Sequence, residues 1–124
     1  MNILRPVDIE NEVRLALNDY FEVYCRPLPK TYNLPNILVE QTGGSTSDTV
    51  DTFQVKLSVR AKTDGDAIDT LRTALGVLEA QTEAQVGALR HMSLNSLASW
   101  GSDPVRPDLK LCTATILVIA HREL

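Results

Sequence analysis

Residues 51–78, DTFQVKLSVRAKTDGDAIDTLRTALGVL, decide the architecture of this chain. Phe53, Val55, Leu57, Val59 and Ala61 alternate with Gln54, Lys56, Ser58, Arg60 and Lys62. A period of two sustained over that length marks a strand with one face on a core and the other in solvent. At Thr63 the period changes. Ala67, Ile68, Leu71, Ala74, Leu75 and Leu78 recur at helical spacing, the stripe of an amphipathic helix. Thr63 or Asp64 is placed to cap it by accepting from its free first-turn amides. Asp66 and Asp69 add negative charge near that end, as the helix dipole prefers. The helix is expected to end near Ala80. A strand feeding a helix in this way names no chemistry by itself.

Upstream, Ile9, Val13, Ala16, Leu17 and Tyr20 form the apolar stripe of a first helix expected over residues 7–21, with Leu15 on its opposite side. Pro6 suits its start, and Asp8, Glu10 and Glu12 enrich its first turns with negative charge. Residues 22–28 are expected to hold a short strand. Residues 26–35, RPLPKTYNLP, contain three prolines and should run as an extended surface connection. Residues 36–41 read as a strand, and residues 42–51, TGGSTSDTVD, as a long flexible hairpin loop.

Downstream, residues 81–85 are a polar connection, and residues 86–98 a weaker strand. Serines and an asparagine inside that strand suit an edge or a bulge. Residues 99–108, SWGSDPVRPD, read as a turn-rich loop. Residues 109–120 form a last strand whose second half is apolar on both faces, so it should be central or covered on both sides. The expected order is helix, strand, strand, strand, helix, strand, strand. The expected fold is α+β: a single domain over residues 1–124, with a mostly antiparallel sheet of about four or five strands and two amphipathic helices packed on one face.

Bulk properties narrow the function. The chain has 124 residues, 44% hydrophobic and 23% charged, with a net charge of −4. One core without staples is expected at this size, and bulk attraction to nucleic acid or an anionic membrane is not. One tryptophan, three tyrosines and two phenylalanines are too few and too scattered for a base-stacking platform. The N-terminal stretch lacks the basic and apolar regions of a signal peptide. The apolar run ILVIA near the C-terminus is far below a membrane span. Synthesis without export is therefore expected. Cys25 and Cys112 show no metal spacing; Cys112 suits a core position, and their pairing stays open.

No catalytic, metal or cofactor residues emerge. TGGSTSD lacks the GxxxxGK[ST] pattern, and a strand rather than a helix follows it. It reads as a hairpin tip, or as a loop that orders against a partner. His91 and His121 stand on separate strands without a companion carboxylate cluster, and no GxSxG or SxxK occurs. Lys56, Arg60 and Lys62 form an outward basic row, suited to DNA phosphates or an acidic partner but also to a plain solvated sheet face. Trp100, in its loop, suits either a fold-back over the core or an interface anchor. Leu15 and Val77 fall off their helix stripes and are candidates to meet a neighbouring subunit.

In layout the chain resembles the tail terminator (tail completion, or head–tail joining) proteins of long-tailed bacteriophages. Four stretches carry the likeness: IENEVRLALNDYF, LPNILVEQTGG, DTFQVKLSVRAKTDGDAIDTLRTAL and SWGSDPVRPDLKLCTATILVIAHRE. The resemblance implies a non-enzymatic virion component, assembled in the host cytoplasm, that forms a ring, usually a hexamer, at the head-proximal end of the tail tube. Its implied partners are copies of itself, the tail tube protein and a head-side connector or stopper. DNA would pass through the lumen without sequence-specific binding, and no membrane is involved. The family has no catalytic residues to carry over. Contact candidates come instead from exposure patterns in this chain: Leu15, Gly43, Gly44, Ser45, Thr46, Lys56, Arg60, Lys62, Val77, Trp100 and Arg106. Two alternatives remain: another neck or tail protein (stopper, adaptor or tube subunit), or a small α+β enzyme or ligand-binding domain whose site assembles from distant residues.

Overall fold

The structure is a computed structural model describing residues 5–46 and 50–122, the side chains of residues 97 and 98 excepted. In chain order it comprises α1 (Ile9–Leu17), β1 (Glu22–Cys25), β2 (Asn36–Thr46), β3 (Val50–Ala61), α2 (Asp64–Glu83), β4 (Leu89–Ser102) and β5 (Lys110–His121). That order and the α+β class are as the sequence leads one to expect.

The period-of-two strand is the centre of the molecule. Phe53, Val55, Leu57, Val59 and Ala61 of β3 point into the core, joined by Cys112, Ala114, Ile116, Val118 and Ala120 of the adjacent β5. Ile9, Val13, Ala16 and Leu17 of α1, with Ala67, Leu71, Ala74 and Leu78 of α2, close over the same face. Each large aliphatic side chain buried here contributes about 1.5–3 kcal/mol from removal of apolar area. The second helix is capped by Thr63, one of the two residues its sequence offered, and the first by Asp8, which the sequence placed inside the helix rather than at its cap. Asp8 accepts from the Asn11 N–H at 3.2 Å, and Thr63 from the Asp66 N–H at 3.1 Å.

The first helix is shorter than its periodicity suggests. It stops at Leu17, whose carbonyl accepts from the N–H groups of both Tyr20 and Phe21 in the turn that follows. Tyr20 therefore leaves the apolar stripe and is 60% exposed. Beside that apolar packing, Glu10 ties α1 to the sheet. Its carboxylate accepts from Arg26 just past β1, at 2.5 and 3.1 Å, and from the Gln41 N–H in β2 at 3.0 Å.

Burial pushes the Glu10 carboxyl up, but the Arg26 and Gln41 hydrogen bonds, with the Arg26 charge, outweigh it and hold it below the ordinary glutamate value. Such a depressed carboxylate contributes stability that is present above its unfolded value of about 4.3 and lost as pH falls through the lower folded value. Glu10→Gln is expected to lower stability at neutral pH and to flatten its acid dependence below about pH 4.3. Urea midpoints taken along an acid titration check this; curves that stay parallel for the two proteins would rule it out.

Among the described residues the sheet has five strands in the order β1-β2-β3-β5-β4. It is mixed, because β1 runs parallel to β2 while every other pair is antiparallel. The proline-bearing connection makes this possible. Returning along the four residues of β1 needs roughly 13 Å, well within the reach of extended residues 26–35.

The expected long loop over residues 42–51 is largely strand. Beta-2 continues through Gly43, Gly44, Ser45 and Thr46, which pair with Gln54, Phe53, Thr52 and Asp51 across a bulge between Gln41 and Gly43. The rest of that loop, residues 47–49, lies outside the described residues. Propensity argued for a loop, but β3 presents its edge to these residues, and cross-strand pairing outweighs a weak local preference. The glycine matters at one place. A Cβ at Gly44 would sit 2.6 Å from the Thr52 carbonyl oxygen, closer than any side chain tolerates.

Beta-4 is an edge strand, as its serines suggest, and its register against β5 shifts at three places. It runs on through Ser102, so Trp100 belongs to a strand rather than a loop. Beta-5 lies between β3 and β4, so it is interior to the sheet. Cys25 and Cys112 stand on β1 and β5, three strand spacings apart, or roughly 14 Å. That separation rules out a bond between them within one chain. Both thiols are free, and burial pushes both up, so neither is poised as a thiolate.

Candidate interaction surface

The helices cover one face of the sheet only. On the other face β3 presents Thr52, Gln54, Lys56, Ser58 and Arg60, and β5 presents Leu111, Thr113, Thr115, Leu117 and Ile119. The β5 row is half-buried throughout. At one end of this face, residues from 28–32 and 103–106 fold over the strands beside Arg60, and Leu38 and Ser58 on the same face are buried.

The fold-over is organised by Asp103. Its Oδ1 accepts from the N–H groups of Val105 and Arg106 at 2.9 and 3.2 Å, while Oδ2 accepts from Arg60 Nε at 2.6 Å. The side chains of Arg60 and Asp103 are 11% and 4% exposed. Burial pushes the Asp103 carboxyl up, but the Val105 N–H, Arg60 and the Arg106 N–H outweigh it and hold it below the ordinary aspartate range. The segment is closed at its base by backbone bonds from Asp103 N–H to the Leu109 carbonyl and from Leu109 N–H to the Arg106 carbonyl.

Beside this pair, Leu28, Pro29, Lys30, Tyr32, Arg60, Asp103, Pro104, Val105 and Arg106 enclose a cleft of about 440 Å³. Two enclosed polar atoms nearby have no hydrogen-bond partner among the described residues: Arg60 Nη1 and Asn36 Oδ1. Asn36 and Arg60 are directly paired across β2 and β3.

The contact candidates read from sequence fare unevenly. Leu15 is 53% exposed and Trp100 51%. Trp100 borders a shallow pocket with Lys56, Leu111 and Thr113 on the open sheet face. The basic row is broken. Arg60 does point outward, but residues 103–109 cover it and Asp103 neutralises it, so it offers no free charge to a partner. Lys62 lies past the end of β3, beside Leu34, Pro35 and Asp66, leaving Lys56 alone of the three on the open strand surface. Val77 is half-buried against the core. Gly43, Gly44, Ser45 and Thr46 are strand residues of β2, and Arg106 is exposed with Asp108 bonded to it at 2.9 Å.

Sequence reasoning passed over Asp103, Lys30, Tyr32 and Val105. One signal was present: an aspartate before Pro104 is a strong former of turns in which its carboxylate accepts from the next amides. The reach of that same carboxylate to Arg60, 43 residues back, leaves no local trace.

No helix is long and apolar enough to cross a membrane, among the described residues. No group of three or more His, Cys, Asp or Glu side chains is gathered as a metal site, again among the described residues. No protein-family model matches the chain, and no curated protein matches its sequence.

Proposed function

We propose that this chain is the repeating subunit of a tail terminator ring, ending growth of a phage tail tube and joining tail to head connector. The observation that carries the reading is the sheet with helices on one face only. Its other face holds the half-buried Leu111, Leu117 and Ile119, and among the described residues its edge strand β4 has no strand along one side. An unpaired edge and a bare sheet face are surfaces that a neighbouring copy can complete. Repetition of one contact between different patches closes into a ring when the rotation per step allows it. The net charge of −4 fits passage of DNA, because a wall with few cations releases few counterions and grips phosphate weakly. The resemblance in layout to tail terminators supplies the identity of the ring.

Light scattering on the purified protein, followed by negative-stain imaging with isolated tail tubes, tests this. Rings are expected, either free or formed on one end of the tube. Leu117→Glu with Ile119→Glu should keep the circular dichroism of the wild type and abolish the rings. A protein that stays monomeric and never binds tube ends sinks the reading. Copies stacked along the tube would instead identify a tube subunit.

A further inference from the structure

We propose that the cleft between residues 26–35 and 103–109 is a docking site for an extended segment of a partner protein, one that places an acidic side chain beside an aliphatic one. The inference does not depend on the ring reading.

Three observations carry it. The first is the shape and lining of the cleft. At about 440 Å³ it falls in the range of sites that take a few side chains. Its walls are mostly apolar, from Leu28, Pro29, Pro104 and Val105. Val105 stands at the mouth 88% exposed, an aliphatic residue that solvent alone does not favour.

The second is charge. Asp103, the acid lining the cleft, already accepts three hydrogen bonds, one of them from Arg60. Cationic donors remain. Lys30 makes no ion pair among the described residues, and Arg106, bonded to Asp108 through one amino group, is half-exposed with further donors, whereas Arg60 is spent on Asp103. An incoming carboxylate therefore meets Lys30 and Arg106 at the rim, while its aliphatic neighbour covers Leu28 and Val105. A nucleic-acid backbone fits less well, because the apolar walls give a phosphate nothing and the chain as a whole is negative.

The third is preorganisation. Asp103 ties residues 103–109 to β3, and the Asp103–Leu109 and Leu109–Arg106 backbone bonds close their base. Little ordering is left for a ligand to impose on that wall, which favours binding of a short segment.

The test uses capped hexapeptides with Glu-Leu-Glu, Gln-Leu-Gln and Lys-Leu-Lys cores, sodium acetate and inorganic phosphate. Each is titrated to about 1 mM while amide NMR shifts are followed. The Glu-Leu-Glu peptide is expected to give saturable shifts confined to residues 28–32 and 103–106. The Gln-Leu-Gln peptide should bind at least about tenfold more weakly, and added salt should weaken the acidic peptide. Lys30→Glu with Arg106→Glu, both exposed positions, should cost at least about tenfold with an unchanged fold. Val105→Ser should weaken binding without changing its salt dependence. The proposal is overturned by absence of shifts, by equal binding of the acidic and neutral peptides, or by acetate or phosphate giving the same shifts alone. Shifts at these amides that grow with protein concentration, without peptide, would assign the cleft to a second copy and overturn the partner-segment assignment.

Discussion

Asp103→Ala is expected to cost about 3–5 kcal/mol of folding stability, the usual penalty for removing one partner of a buried ion pair. Against a total of about 5–15 kcal/mol for a domain, this is a severe loss. The reason lies in what is left behind. Arg60 is 11% exposed and already keeps Nη1 without a partner. Without Asp103 its Nε is orphaned as well, and the cation stays enclosed with no counter-charge. The N–H groups of Val105 and Arg106 lose their acceptor at the same time, which adds to the loss. Asp103→Asn retains an oxygen for those amides and should fall between wild type and alanine. Removing both charges, as in Arg60→Met with Asp103→Leu, should be milder than Asp103→Ala alone, because no buried charge remains. Urea denaturation followed by far-UV circular dichroism measures all four proteins. A loss below about 1 kcal/mol for Asp103→Ala would place the pair with ordinary surface bridges and refute its organising role. The depressed Asp103 carboxyl adds a pH signature. Its contribution is present above the unfolded value of about 3.9 and disappears as pH falls through the lower folded value.

Leu57→Ala is expected to cost about 2–5 kcal/mol, the range for a fully enclosed leucine whose site cannot collapse. Leu57 is 0% exposed and stands mid-strand in β3, between Val39 of β2 and Ala114 of β5. Ala114 is too small to fill space that Leu57 vacates, and a strand paired on both sides cannot shift inward. The neighbouring Lys56→Ala, on the open face, should stay within about 0.5 kcal/mol of wild type. Thermal and urea unfolding of the two variants check the contrast. A Leu57 loss no larger than that of Lys56 would mean that the two faces of β3 have been misassigned.

The parts of the fold that were legible are those where one local signal agrees with one environment. The alternation in β3 and the stripe of α2 each point to a single buried side, and Thr63 is polar where a cap is needed. The errors fall where long-range pairing overrides a local preference. Gly43, Gly44, Ser45 and Thr46 look like a loop by propensity, yet β3 supplies them with strand partners. Trp100 sits among glycine and proline residues, yet it pairs with Cys112 of β5. Arg60 follows the outward phase of its strand, and alternation carries no information about what covers that phase.

The sequence by itself determined the element order, the α+β class, the cap of the second helix and the inward side of the central strand. These follow from periodicity and from hydrogen bonds spanning three residues, which neighbouring positions encode directly. Only the tertiary structure decided that β1 is parallel, that Arg60 is spent on Asp103, that Val77 is half-buried against the core, and that two proline-bearing segments enclose a cleft. Each of those depends on which distant segments meet, and the free energy that selects them comes from burial and pairing between residues far apart in the chain.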